Sequence, residues 1–486
     1  MNWLSRFFTK HTNKTNSTLA QIFFSNTLSS NKELFISQKP GLALLYSCGP
    51  TVYAQAHIGN LRAYVFSDTI ARVLDAAGYR VRRVINITDV GHLVGDGDSG
   101  EDKMAVGAAR EHMTPEAIAE RYTKLFMEDI EDLQIDTENI LFPRATQYIK
   151  EQIALAKTLE EKGFAYHLPD GLYFDTQKFQ NYGKLGGLQG VQIEAGARVE
   201  IVKEKRHPSD FVLWRTAKPN DLQQWDSPWG RGNPGWHIEC SAMIRSLLGQ
   251  EIDIHTGGED HINIHHNNEI AQSEAANGRT FVHYWMHSAF LTMNGEKASK
   301  SLGNVVYLSD ITGKGFHPLA LRYFFLQAQY RTPLSFSWDA ITAAAHALDR
   351  LWKLSREIAE ESKRVEGSSE ARKRFLAMMR DDLGTPQALS ILWDTLKSEN
   401  YTPEEKWGIL IDAEAHLGLL LLQPPTSTTL TEEDVPEEVR KLLTRRKTAR
   451  ANQDFTEADR IRDEIEHKGY RVDDGPGGPM LTRTTL

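Results

Sequence analysis

Run length and spacing of apolar positions divide this chain into elements before any chemistry is considered. Leu42 to Ser47 form a short, nearly continuous apolar run that stops at Cys48-Gly49-Pro50, the pattern of a buried parallel strand. After His57-Ile-Gly-Asn60, apolar residues at Ala63, Phe66, Ile70, Val73 and Leu74 recur at helical spacing, and Gly78 supplies the stop. Val84-Ile-Asn-Ile-Thr88 then reads as a second strand. The three pieces make one β-α-β unit, whose strand carboxyl ends and helix N-terminus form the edge where open α/β sheets bind ligands.

Further along, Gly95 to Asp102 reads as a surface loop, and helical patterns continue to about Leu133. An amphipathic helix is predicted from about Pro143 to Gly163, followed by a hairpin turning at Leu168-Pro-Asp-Gly171. A second α/β half begins near Gly235, with a strand at Glu251–His255, a helical run from Ile264 to Ala276 and an apolar segment from Val282 to Leu291. Beyond about Pro318 the period is helical, with Ile341, Ala344, Ala345, Leu348, Leu351 and Trp352 on one face. Gly367-Ser-Ser369 and Pro424 to Thr429 read as linkers.

The expected fold is therefore α/β: a Rossmann-type parallel-sheet domain interrupted by a small α+β insertion and followed by a helical C-terminal region. The corresponding divisions are an extension over 1–20, a first half-domain over 21–135, an insertion over 136–230 and a second half over 231–325. A helical bundle over 326–425 and a C-terminal segment over 426–486 complete the chain.

Length and composition agree with several soluble domains: 486 residues, 40% hydrophobic and 25% charged. No run approaches the ~20 apolar residues of a membrane span. A net charge of −9 argues against a surface coated in nucleic acid, although a local basic patch can still bind RNA. Such a patch exists: Arg440, Lys441, Arg445, Arg446, Lys447 and Arg450 crowd one predicted helix with no carboxylate between them. Two cysteines cannot build a disulfide framework, which points to a reducing compartment and a cytoplasmic protein. The first stretch, with Arg6, Lys10 and Lys14 and no acidic residue before Leu19, offers organellar targeting as the alternative.

Both cysteines sit in motifs. Cys48 ends the first strand, and Cys240 closes Gly235-Trp-His-Ile-Glu-Cys240; downstream runs His265-His-Asn-Asn-Glu269. His265 and Glu269 are four apart in a helical pattern and project from one face, so they can grip one ion. Thiolate, imidazole and carboxylate donors together suit zinc. His266 is expected to orient a ligand from behind or to lie on the surface.

A nucleotide is suggested by weaker signs. His57-Ile-Gly-Asn60 lies at a strand-to-helix turn, where free N–H groups and the helix dipole favour phosphate. Gly257 and Gly258 permit close backbone approach at a strand end, with Asp260 able to accept from a hydroxyl. Lys297-Ala-Ser-Lys300-Ser301 places two lysines on a predicted flexible loop, where closure can add charge neutralisation in a transition state.

Taken in order, Cys48-Gly-Pro-Thr-Val-Tyr53, His57-Ile-Gly-Asn60, Gly235-Trp-His-Ile-Glu-Cys-Ser-Ala-Met243, His265 to Ser273 and Lys297 to Asn304 resemble the signatures of the class I aminoacyl-tRNA synthetases, and among them the cysteinyl-tRNA synthetases. The likeness runs from about Gln21 to Arg483. It implies ATP-dependent ligation of L-cysteine to tRNA(Cys) through a cysteinyl-adenylate, in an enzyme expected to act as a monomer. It further implies Cys48, Cys240, His265 and Glu269 as ligands of one Zn2+ that receives the substrate thiolate. By the same resemblance His57, Asn60, Lys297 and Lys300 promote adenylate formation from ATP, with Mg2+ expected, and Gly257, Gly258 and Asp260 hold the adenosine. Thr88 and Trp236 resemble the amino-acid pocket. Two departures stand out: Asn60 occupies the usual last histidine of the first signature, and Ala298 the usual loop methionine.

A thiol of pKa about 8.5 is deprotonated readily on coordination, whereas serine's hydroxyl is a harder, poorer ligand. A related ligase that joins cysteine to an amino sugar is the nearest alternative, and a silent tRNA-binding relative is a second. The basic helix and Ala458-Asp-Arg-Ile-Arg-Asp463 favour tRNA over the amino sugar; the zinc set and both loop lysines disfavour silence.

Overall fold

The structure, a computed structural model, describes residues 19–91, 102–187, 204–219, 221–293, 296–297, 305–425, 429–430, 435–475 and 478–483. The suggested targeting extension before Leu19, most of the Gly95–Asp102 loop, and Ala298 and Lys300 of the lysine loop lie outside them.

A hairpin of β1 (Phe23–Asn26) and β2 (Asn31–Leu34) opens the chain. It leads into β3 (Leu42–Ser47), α1 (Ile58–Ala76) and β4 (Arg80–Ile85), the expected β-α-β unit. The second strand begins at Arg80, earlier than apolar content alone predicts, because Arg80 to Arg83 are drawn into register opposite Leu42 to Leu45. Helices α2 (Lys103–Glu111) and α3 (Pro115–Asp132) lead to β5 (Ile140–Leu141), and α4 (Ile149–Glu161) follows. An antiparallel sheet of β6 (Ala165–Leu168), β7 (Gly171–Phe174), β8 (Phe211–Thr216) and β9 (Gly232–Pro234) contains the hairpin expected at Pro169-Asp170. Then come α5 (Trp236–Leu247), β10 (Ile252–Gly258), α6 (Asn267–Asn277) and β11 (Val282–Ser288).

The central sheet has the order β11-β10-β3-β4-β5, and every pair is parallel. The order reverses between β3 and β10. That switch point opens a crevice at the strand carboxyl ends, with Cys48 on one wall and Gly257-Gly258 on the other. The strands are buried on both faces, which explains the continuous apolar run: in β3, Ala43 and Leu45 join a core with α1, while Leu44 and Tyr46 join one with α4 and α5.

Beyond the sheet, β12 (Leu291–Met293) pairs with β13 (Glu296–Lys297) and with β14 (Leu334–Phe336). Helices α7 (Leu308–Gly313) and α8 (Pro318–Leu326) precede β14, and α9 (Trp338–Glu361), α10 (Glu370–Arg380), α11 (Thr385–Lys397) and α12 (Pro403–Leu417) follow it. The core around α1 runs without a break into these helices, through Leu319, Ile341, Leu351, Phe375 and Leu410. The junction is also polar: Asp68 of α1, 1% exposed, takes hydrogen bonds from Arg72 at 2.6 Å, Arg83 at 3.0 Å and Arg322 of α8 at 2.6 Å.

At the C-terminus, β15 (Thr429–Leu430), α13 (Glu437–Ala451), α14 (Phe455–His467), β16 (Tyr470–Gly475) and β17 (Gly478–Arg483) add a three-stranded antiparallel sheet to a region expected to be helical throughout. Val439, Leu442, Leu443, Ile461, Ile465 and Val472 form a separate small core there. Among the described residues no helix is long and apolar enough to cross a membrane.

Candidate metal centre and nucleotide cleft

Three elements deliver the donors. Cys48 sits one residue past β3, with its N–H bonded to the carbonyl of Thr256 on β10 at 3.1 Å, so the sheet itself fixes the thiol at the switch point. Cys240 rides on α5, which starts at Gly235, where any Cβ would come within 2.0 Å of the Val212 carbonyl. His265, His266 and Glu269 come from the segment after β10. That segment is not a uniform α-helix: Ile262–His266 is a π-turn, and α6 starts only at Asn267. At i,i+4 and i,i+3, His265 and His266 both lie on the face of Glu269. His265 Nε2 lies 3.0 Å from Glu269 Oε1 and His266 Nε2 lies 3.9 Å from the same atom, and both rings are buried. His266 is therefore no surface residue.

Donor atoms of Cys48, His265, His266 and Glu269 all lie within 4.8 Å of one another. Cys48 Sγ is 3.3 Å from His266 Nε2 and 3.9 Å from Glu269 Oε1. Cys240 Sγ stands at the side of this group, 3.8 Å from His265 Nε2 and 3.8 Å from Asn86 Oδ1. The surroundings orient the rings: His237 Nδ1 meets His265 Nδ1 at 3.0 Å, and His287 Nε2 meets His266 Nδ1 at 2.8 Å. Thr27 Oγ1 holds the far nitrogen of His287 at 2.8 Å, and His255 Nε2 meets Glu269 Oε2 at 3.0 Å.

Burial and mutual pairing set the charges within this cluster. Burial pushes the Cys48 thiol well up, and Cys240 and Glu269 push it further. Burial likewise opposes ionisation of Glu269, yet the imidazoles of His255 and His265 hold its carboxyl below the usual range. Burial works against a charge on His265 too, but Glu269 and Cys240 raise it; His266 and His287, buried among other imidazoles, are driven well below the ordinary histidine value. Sulfur, nitrogen and carboxylate oxygen converge here in a buried space, a donor set that fits a borderline-soft divalent ion.

At the N-terminus of α1, His57 caps the helix. Its Nδ1 accepts from the N–H of Asn60 at 3.3 Å, and Asn60 Oδ1 accepts from the N–H of His57 at 3.1 Å. The first signature is thus a capping box, and asparagine at position 60 performs its half of it. The first turn of α1 carries no acidic residue, so the dipole end is left to favour an anion. Gly59 leaves room for the ring, since a Cβ there would stand 3.0 Å from two of its atoms.

Thr88, buried beside the crevice, donates to Glu239 Oε2 at 3.2 Å and accepts from Asn86 Nδ2 at 3.0 Å. Trp236 lies with its ring centroid 4.4 Å from that of His265, and Lys103 Nζ stands 5.2 Å from the indole. At Gly257 a Cβ would stand 2.7 Å from His261 Nδ1, and at Gly258 one would stand 2.3 Å from Asp260 Oδ1, so both glycines keep this strand end open. Lys297, in β13, lies opposite Thr292 of β12. The residues that sequence reasoning missed are His237, His255, His287, Asn86 and Glu239. Their signal was a polar side chain inside a run otherwise read as buried.

Known proteins resemble this chain in sequence and in fold. The family described as tRNA synthetases class I (C) catalytic domain matches residues 35–346, and that described as cysteinyl-tRNA ligase anticodon binding domain matches residues 432–478. A protein of Burkholderia lata named cysteine–tRNA ligase 1 is 46% identical over 461 residues, covering 94% of this chain and 96% of the relative. One of Treponema denticola named cysteine–tRNA ligase is 42% identical over 480 residues, covering 93% of this chain and 97% of the relative. Among solved structures, Mycobacterium tuberculosis methionyl-tRNA synthetase with methionyl-adenylate aligns at a TM-score of 0.55 and 18% identity, covering 79% of this chain and 91% of that one. The Agrobacterium radiobacter K84 agnB2 LeuRS–tRNA–LeuAMS complex aligns at 0.59 and 11% identity, covering 81% of this chain and 86% of that one. Those two likenesses establish the shared fold.

Proposed function

This chain belongs to the class I cysteinyl-tRNA synthetase family, and from that premise we propose that it ligates L-cysteine to tRNA(Cys) through a cysteinyl-adenylate formed in the crevice between β3 and β10. The observation that carries the reading is the juxtaposition, at one sheet edge, of a buried sulfur, imidazole and carboxylate cluster with a helix N-terminus capped by His57 and Asn60.

Cys48, Cys240, His265 and Glu269 would hold one Zn2+, with His266 turned toward the same space. When bound, zinc supplies a Lewis-acidic centre that takes a thiol as thiolate and rejects a hydroxyl. A hydrophobic pocket alone separates such close analogues by only ~1–3 kcal/mol. Trp236 packs tilted against His265 and forms one wall for the amino acid, while Thr88, fixed by Asn86 and Glu239, presents a hydroxyl at its other end.

In the first step a carboxylate oxygen of cysteine bonds to the α-phosphorus of ATP, and the bond to the β-phosphate oxygen breaks to release pyrophosphate. The N-terminal amides of α1, with His57 and Asn60, face the charge that develops on the phosphates. Lys297 and Lys300 neutralise the same charge, Gly257 and Gly258 give the adenosine a close backbone approach with Asp260 beside it, and Mg2+ accompanies the nucleotide. In the second step a terminal ribose hydroxyl of the tRNA attacks the acyl carbon and AMP leaves. Residues 426–486, with the basic helix α13, would meet the anticodon end of that tRNA.

Cysteine-dependent ATP–pyrophosphate exchange, followed by transfer of labelled cysteine to tRNA, tests the reading. Exchange should require cysteine, ignore serine, and fall by at least about 100-fold in His57→Ala and Cys240→Ala. Exchange without transfer to tRNA, or purified protein devoid of zinc, would sink it.

A further inference from the structure

Arg62 stands out among the buried cations. It lies in the second turn of α1, is 3% exposed, and among the described residues has no carboxylate within ion-pair distance. All its hydrogen bonds go to backbone carbonyls instead. Nη1 donates to Ala289 O and Phe290 O, each at 2.8 Å, and Nη2 donates to Thr332 O at 2.7 Å and Tyr330 O at 3.5 Å. These carbonyls belong to the two segments that run into β12 and β14.

The same segment is gripped a second time. Glu259, directly after β10 and next to Asp260, accepts from the N–H of Phe290 at 2.7 Å. The Phe290 residue is thus fixed at its N–H by the nucleotide-side strand and at its C=O by the helix that His57 caps. Phe290 O also receives the N–H of Leu334 at 3.2 Å, and Ala289 N–H donates to Tyr330 O at 2.9 Å, so the two segments are locked to each other. Through β12 this frame continues into β13, which contains Lys297. Burial lowers the Arg62 pKa to about 10, and the nearby Glu259 charge partly restores it. The guanidinium remains a cation at neutral pH, and its planar fork serves several carbonyls at once, which an ammonium cannot.

We infer that Arg62 is a positioning residue for adenylate formation: with Glu259 it sets the strand leading to the lysine loop in register with the N-terminus of α1 and the carboxyl end of β10. This rests on the proposed function, since it presumes that those three elements act on one nucleotide. A displacement of about 1 Å between them is enough to cost on the order of 100-fold in rate.

The test uses the full-length protein and two variants, Arg62→Gln and Arg62→Lys. Amide hydrogen exchange should rise in Leu291–Met293 and Leu334–Phe336 of Arg62→Gln while Leu42–Ser47 keeps its protection. In cysteine-dependent ATP–pyrophosphate exchange its kcat should fall about 100-fold with KM for cysteine within about twofold, and Arg62→Lys should recover part of the loss. Unchanged kcat overturns the inference, as does a fall in kcat without loosening of those strands. So does exchange that rises equally in Leu42–Ser47 in both variants, which marks general unfolding. If the unmodified protein shows no cysteine-dependent exchange, the functional reading fails, and hydrogen exchange alone still decides whether Arg62 fixes the strands.

Discussion

Asp129 of α3 is a buried carboxyl whose Oδ2 has no hydrogen-bond partner among the described residues. Burial pushes its pKa up to about 7; the Gln55 side chain pulls it back only in part, and the neighbouring charges of Asp132 and Glu128 add to the rise. A carboxyl whose folded pKa exceeds its unfolded value binds more protons in the native state across that interval. Stability then falls as pH rises from about 4 through about 7. Asparagine at this position keeps an oxygen for Gln55 and removes the ionisation. Asp129→Asn should therefore be more stable than the parent at pH 8 by about 1–3 kcal/mol and nearly equal to it at pH 4, as read from urea unfolding at the two pH values. A larger gain at pH 4 than at pH 8 would contradict the assignment.

At the scale of elements, the crevice depends on two strand ends approaching closely. Gly49 crosses the chain just beyond β4, and a Cβ there would stand 1.5 Å from the Asn86 carbonyl oxygen, a backbone atom that cannot turn aside. Its N–H also donates to Asn86 Oδ1 at 2.8 Å. Gly49→Ala must push β3 and β4 apart where Cys48 is held. It should cost about 3 kcal/mol in urea unfolding and weaken binding of any divalent metal at the cluster, read by metal titration of parent and variant. The elements around this point were legible in the sequence because β3 and α1 follow strong patterns, a short apolar run and a 3.6-residue period. The π-turn before α6 was not legible. Helical spacing sets His266, at i,i+3, as well as His265, at i,i+4, beside Glu269, so reading His265 alone as the neighbour was too narrow; nothing in residue type announces the π-turn itself. His255 and His287 were hidden for another reason: His255 closes the strand read over Glu251–His255 and His287 sits in the segment read as apolar, and a buried imidazole in either needs a partner that only the fold supplies.

The whole molecule contains contacts that no local pattern encodes. The order of motifs along the chain foretold the halves of the sheet, but the small C-terminal sheet was missed, since its short strands carry glycine and proline and show no clean alternation. That module has its own core, so the chain ended after Pro425 should keep cysteine-dependent pyrophosphate exchange while losing most tRNA charging, measured on the same preparation. The junction between sheet and helical bundle is a different matter, because it rests on Asp68. Burial alone would raise this carboxyl, yet Arg72, Arg322 and Arg83 hold it well below the usual carboxylate range. Arg322, fully buried, also donates to Leu417 O at 2.6 Å and Leu133 O at 2.8 Å, joining α8 to α12 and to the end of α3. A depressed native pKa contributes stability that is complete above the unfolded aspartate value of about 3.9 and is lost as pH falls below it. Asp68→Asn leaves three guanidiniums around a neutral amide and should cost about 3–5 kcal/mol at pH 7, because buried charges lose their counter-charge. Acidification from pH 5 to pH 3 should then destabilise the parent more steeply than the variant, since only the parent has this proton still to bind. Equal slopes in the two proteins would place the acid sensitivity elsewhere.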